Sequence, residues 1–167
     1  EIYTFWSDQL AQDLRHEFTH GLLHASLGPV PLWLDEGLAE YFENGGARLT
    51  GPNVQRIQHL QQALANRWHP DLVRLERLND GTRMTEADYQ ESWGWVHMLL
   101  NGEDEQRREL LNYLAELPKQ SNPELLSKRL SRFPDSNSQR FVAYVSNLRN
   151  GSLANARTTV RSSGHRH

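Results

Sequence analysis

A chain of 167 residues with 37% hydrophobic side chains fits one domain with a single core, in which five Trp and many Leu must do much of the burying. A formal net charge of −3 excludes the strongly basic face of a nucleic-acid binder, and no apolar run approaches the roughly 18 residues of a membrane span. Cysteine is absent, so disulfides and thiolate sites are ruled out and any metal must be held by His, Asp or Glu.

The first residues lack the charged start, apolar run and cleavage site of a signal peptide, and Glu1 stands where Met would. A processed product or a piece of a longer chain is the expectation. Ile2-Tyr3-Thr4-Phe5-Trp6 is a strand candidate. Residues 7–27 read as a helix: Ser7 can cap it, Leu10, Leu14, Phe18, Leu22 and Ala25 recur along it, and Gly28-Pro29 stops it. Pro31 to Phe42 forms a second helix, followed by Asn44-Gly45-Gly46. Pro52 opens a third, running to about Arg67. Leu72-Val73-Arg74-Leu75 is a second strand candidate, and Asn79-Asp80-Gly81 marks a turn. Thr85 caps a helix that ends at Asn101-Gly102. Three more helices are predicted near 103–117, 123–132 and 137–149, punctuated by Pro118, Pro123 and Pro134. From 151 to 167 the composition turns to Ser, Thr, Arg, Gly and His without periodicity, which predicts a disordered tail. The fold class is therefore mainly α, with at most one or two short strands and one domain over 1–150.

His16-Glu17-Phe18-Thr19-His20 is an HExxH motif on the first helix. Four residues advance an α-helix by about 400°, leaving the two imidazoles roughly 40° apart and about 6 Å along one face. Both can then reach one Zn²⁺, with Glu17 beside them to take a proton from water. A polar helix face with surface histidines is the plainer alternative, and a third ligand decides between them.

His24 lies about 12 Å of helix rise from His16, too far to converge on the same ion. The metzincin pattern needs Gly and His three and six residues after His20, where Leu23 and Ser26 stand. Glu36 is the remaining candidate. It follows His20 on the second helix, and the short Gly28-Pro29-Val30-Pro31 link favours antiparallel packing that lays it against the His pair. Glu36, Glu40 and Glu43 could instead form a solvated acidic face, yet Leu34, Leu38, Tyr41 and Phe42 surround that helix with apolar side chains. A carboxylate there needs a partner. Glu40, one turn after Glu36, is expected to accept the free N–H of a ligand histidine.

His16-Glu17-Phe18-Thr19-His20 followed by Trp33-Leu34-Asp35-Glu36-Gly37-Leu38-Ala39-Glu40-Tyr41-Phe42 resembles the gluzincin zinc metallopeptidases. The second block is similar to the Trp-Leu-Asn-Glu-Gly-Phe-Ala-Glu helix of the aminopeptidase N-like branch. The closest likeness is to a bacterial family of uncharacterised gluzincin-like domains. The resemblance is strong over residues 14–43 and weak over 85–148. It implies a helical zincin catalytic subdomain, one zinc ion per chain held by His16, His20 and Glu36, and Glu17 as general base. It also implies a peptide or protein substrate and an extracytoplasmic setting.

In that group a Tyr beyond the third ligand polarises the tetrahedral intermediate, and Tyr89 in Tyr89-Gln90-Glu91-Ser92-Trp93-Gly94 looks like it. Tyr89, Trp93, Val96 and Leu100 equally form a helical core stripe. No Gly-Ala-Met-Glu-Asn-type segment for a substrate's free amine is present, so the likeness extends to gluzincins and not to aminopeptidases. His59, His69 and His97 read as ordinary surface or core histidines, and the arginines are interleaved with acids as on solvated helix faces. A zinc-dependent peptide hydrolase is the expected function. A zinc-binding pseudo-peptidase that acts as a scaffold, and a helical interaction domain with a chance motif, are the alternatives.

Overall fold

The computed structural model describes residues 8–46, 52–120 and 122–148. Its elements are α1 (Asp8–Leu27), α2 (Leu32–Glu43), α3 (Pro52–Ala65), α4 (Leu72–Leu75), α5 (Glu86–Asn101), α6 (Asp104–Glu116), α7 (Leu126–Leu130) and α8 (Asn137–Asn147). Two 3-10 turns, Gly81–Arg83 and Leu117–Lys119, join them. The domain is mainly helical, and no strand occurs among the described residues. The strand candidate at 2–6, the Ser7 cap and the 151–167 tail lie outside them.

Helix α5 is the spine. Thr85 and Asp88 close a reciprocal cap at its start, the Thr85 N–H donating to Asp88 Oδ2 at 2.8 Å. Every residue from 91 to 99 is buried, as expected of a helix enclosed on all sides. Its neighbour α2 buries Trp33, Leu34, Leu38, Ala39 and Tyr41. The two helices meet at Gly37, where an added Cβ would stand 2.8 Å from both the Ser92 carbonyl oxygen and Val96 Cγ2. Gly94 plays the same part on the other side of α5, against Leu60 of α3 and Phe141 of α8.

Helix α1 ends where Gly28 takes a left-handed φ of 72° and its N–H donates to the His24 carbonyl at 3.2 Å. Pro29-Val30-Pro31 then turns the chain so that α2 runs back along α1. The stripe that marks α1 in the sequence is not its packed face. Leu14, Phe18 and Leu22 are 51%, 71% and 56% exposed, whereas Thr19 is buried and Leu23 and Leu27 pack on the core.

Some boundaries differ from expectation. Leu72–Leu75 is a one-turn helix and not a strand, because the Asp71 side chain accepts the Arg74 N–H at 3.0 Å and caps it. The third helix stops at Ala65, and Arg67 adopts a φ of 65°. The helix expected over 123–132 is confined to Leu126–Leu130.

The buried carboxylate of Glu91 accepts from the Asp71 N–H at 2.6 Å, from Arg74 at 2.7 Å and from the Trp95 indole at 3.2 Å. Arg74 also pairs with Asp88 at 2.6 Å. This network ties α4 to α5 away from α1. His97 is also fully buried, with Nδ1 2.8 Å from the Tyr144 hydroxyl. Burial pushes its pKa down to about 4.

Two outcomes follow from this packing. Gly37→Ala should destabilise the domain by about 1–3 kcal/mol through overpacking, read as a lower urea midpoint with unchanged slope. An unchanged midpoint would show that α2 and α5 have room to part. Below an unfolded-state pKa of about 6.5 the unfolded chain binds a proton that folded His97 takes up only near pH 4. Stability therefore falls as pH drops through that window, by roughly 3 kcal/mol from this group. The wild-type advantage over His97→Asn should shrink accordingly in urea titrations at neutral pH and at the acid end of the window.

Candidate metal centre

His16 and His20 project from consecutive turns of α1 toward α2, and their Nε2 atoms lie 3.1 Å apart. Glu36 comes from α2, with Oε2 3.7 Å from each of those nitrogens. A tetrahedral zinc site with bonds of about 2.0–2.1 Å separates its ligand atoms by about 3.3–3.4 Å. The observed triangle is close to that size. His16, His20 and Glu36 are all partly accessible, which leaves one side of the triangle for a water.

The other ring nitrogens are also occupied. His16 Nδ1 lies 2.9 Å from Glu43 Oε2. His20 Nδ1 lies 3.0 Å from Asp35 Oδ1, off the line of a good hydrogen bond, with both atoms buried and otherwise unpartnered. The second Asp35 oxygen sits 2.8 Å from His24 Nε2. An ionised carboxylate can only accept, so the Glu43 contact puts a proton on His16 Nδ1. The two Nε2 atoms, within hydrogen-bond distance of each other, and the Glu36 carboxylate oxygen converge on one point, an arrangement that could hold a cation.

Two other groups of possible ligand atoms share these residues: His20 with His24 and Asp35, and His16 with Glu40 and Glu43. The Glu36 grouping is the one that takes both histidines of the HExxH motif.

Burial pushes the Glu36 carboxyl above the usual carboxylate range, while His20 and His16 draw it back toward ionisation. Burial likewise raises Glu40, opposed by Arg56. Glu40, expected to accept a histidine N–H, is ion-paired with Arg56 of α3. Glu43 stands on His16 instead. It lies seven residues from Glu36, about 20° from the same helix face, whereas Glu40 lies about 40° away and is drawn aside by Arg56.

Glu17 is exposed beside the triad, close enough for its charge to raise Glu36. Tyr89 comes from the first turn of α5. Burial, then the charges of Glu36 and Glu40, hold its hydroxyl above the ordinary range for tyrosine. It shares a cavity of about 490 Å³ with Glu40, Arg56 and His59. Of the residues singled out in the sequence, His16, Glu17, His20, Glu36, Glu40 and Tyr89 thus gather at one place. Asp35, Glu43 and Arg56 join them without having been anticipated. The first two had a signal in the antiparallel turn, which sets Asp35 near His20 and runs the end of α2 back past His16. Arg56 had none, since its helix lies beyond residues 47–51.

Residues 11–125 match the family model described as "Protein of unknown function (DUF1570)". The chain belongs to this family. The DUF1570 match contains His16 and His20, all three α2 glutamates, Arg56 and Tyr89. No curated protein and no solved structure matches the chain.

Loss of the carboxylate behind a ligand histidine costs roughly 10–100-fold in metal affinity. Glu43→Gln should show that loss in a zinc competition titration, and Glu40→Gln a smaller one. The reverse order would return the orienting role to Glu40.

Proposed function

We propose that the chain is a zinc-dependent metallopeptidase of gluzincin type, with His16, His20 and Glu36 as ligands. The observation that carries this reading is the convergence of the His16 and His20 Nε2 atoms and one Glu36 carboxylate oxygen within 3.1–3.7 Å of one another. Each ring is backed by a carboxylate on its other nitrogen. Three protein ligands with a solvent-facing side fit a catalytic zinc site better than a closed structural one.

Bound there, zinc would lower the pKa of a water and polarise the scissile carbonyl. The chain's own groups do the rest. Glu17 takes the proton from the attacking water and delivers it to the leaving amine. The Tyr89 hydroxyl, kept protonated by its surroundings, donates toward the oxyanion as the carbonyl becomes tetrahedral. The exposed apolar face of α1, with Leu14, Phe18 and Leu22, stands beside Glu17. No described helix is long and apolar enough to cross a membrane.

Glu17→Gln should reduce peptide hydrolysis by roughly 10²–10⁴-fold while the protein still holds about one zinc ion. Full activity in that variant would refute the mechanism. Zinc binding by the wild-type chain without cleavage of any peptide in a broad library would favour a scaffold built on the same centre.

A further inference from the structure

Glu43 divides its carboxylate. Oε2 faces His16 Nδ1 at 2.9 Å, while Oε1 accepts from Arg56 Nη2 at 2.9 Å and from the Asn44 side-chain amide at 2.7 Å. The same Arg56 nitrogen pairs with Glu40. The guanidinium lies 5.9 Å from the centroid of the fully buried Trp93 ring. Asn53, one turn earlier on α3, donates to the backbone carbonyls of Asn44 at 3.3 Å and Gly46 at 3.2 Å. Helix α3 is therefore fastened to the end of α2 at the level of His16.

We propose that Arg56 is a positioning residue for the metal centre: by gripping Glu43 and Glu40 together from α3, it holds Glu43 on His16 and so sets the direction of the His16 lone pair. The inference rests on the metallopeptidase reading for its purpose, but the grip itself is a feature of the metal-free chain. Glu43 has three freely rotating side-chain bonds, and a carboxylate that is not held loses entropy whenever it orients a ring. Arginine suits the task because its Nη2 carries two N–H donors in the fixed plane of the guanidinium, enough to serve Glu43 and Glu40 together. The pairing also offsets charge. Glu36, Glu40 and Glu43 lie on one side of α2, and the part-buried Glu40 has Arg56 as its cationic partner. Without that cation Glu40 would be left uncompensated beside His16.

The test is a double-mutant cycle on zinc affinity, with Arg56→Gln, Glu43→Gln and the pair, after circular dichroism has established that each variant is folded. Arg56→Gln should weaken zinc binding by about 10-fold, the lower end of the range for supporting residues. The double variant should bind no more weakly than Glu43→Gln alone, because the two act through one contact. Unchanged affinity in Arg56→Gln, or losses that simply add, would overturn the proposal. If Arg56→Gln does not fold, Arg56→Lys replaces it, with a smaller loss expected and the same additivity criterion.

The grip has a readout that needs no metal. In the metal-free wild type the His16 Nδ1 proton, bonded to Glu43, should resist exchange and give a downfield imidazole signal. Arg56→Gln should broaden or abolish it, and persistence of the signal in that variant would overturn the clamp. A wild-type chain that binds no zinc would refute the metallopeptidase reading, and this signal would still decide the role of Arg56.

Discussion

The antiparallel contact of α1 with α2 governs everything else at the site. It brings two imidazoles and a carboxylate into one small space, and a force must hold the two helices in that register. The force is burial. Helix α2 is wedged between α1 and α5 and buries Trp33, Leu34, Leu38, Ala39 and Tyr41, each large side chain contributing roughly 1.5–3 kcal/mol on removal from water. Gly37 lets the backbones of α2 and α5 approach closely enough for that burial. The residue beside it, Glu36, is carried to the histidines as a consequence of packing, not of its own affinity for them.

Strained electrostatics and function are not the same thing in this domain. Glu91 and Glu76 are pushed up by burial as Glu36 is. Glu91, however, has three donors around it, and Glu76 accepts from the Ser127 N–H at 3.0 Å and from its hydroxyl. These carboxylates fasten α4 and the segment after it to their neighbours. Glu36 differs in what faces it: the Nε2 atoms of His16 and His20, each 3.7 Å away and beyond hydrogen-bond distance. The contrast between satisfied and converging groups, more than the direction of any pKa, separates the structural carboxylates from the candidate ligand.

The outer surface of α1 has its own character. Phe18 and Leu22 point outward together with Leu14, immediately beside the exposed Glu17. A helix with one face on the core and a second apolar face in solvent is unusual for a monomeric surface. Here the two faces have separate duties. The inner one carries His16, His20 and Leu23 toward α2, and the outer one presents Leu14, Phe18 and Leu22 to solvent.

How much of this could be read from the chain depends on distance along it. The HExxH spacing, the turn at Gly28 and the Trp33-to-Phe42 block are local patterns, and they were enough for a mainly helical fold and for the meeting of His16, His20 and Glu36. Helical periodicity also located α5 and its Thr85 cap. It misjudged Leu72–Leu75, where a capping aspartate outweighs β-branching, and it could not tell which apolar face of α1 is buried. The choice between Glu40 and Glu43 was equally out of reach, because two positions 40° and 20° from a common helix face are separated only by what lies opposite. What lies opposite is Arg56, across a segment whose path the sequence does not specify. Short-range order thus follows from spacing and caps, whereas the supports behind the ligands were decided by tertiary packing, since side chains meet there whose separation in sequence carries no periodic signal.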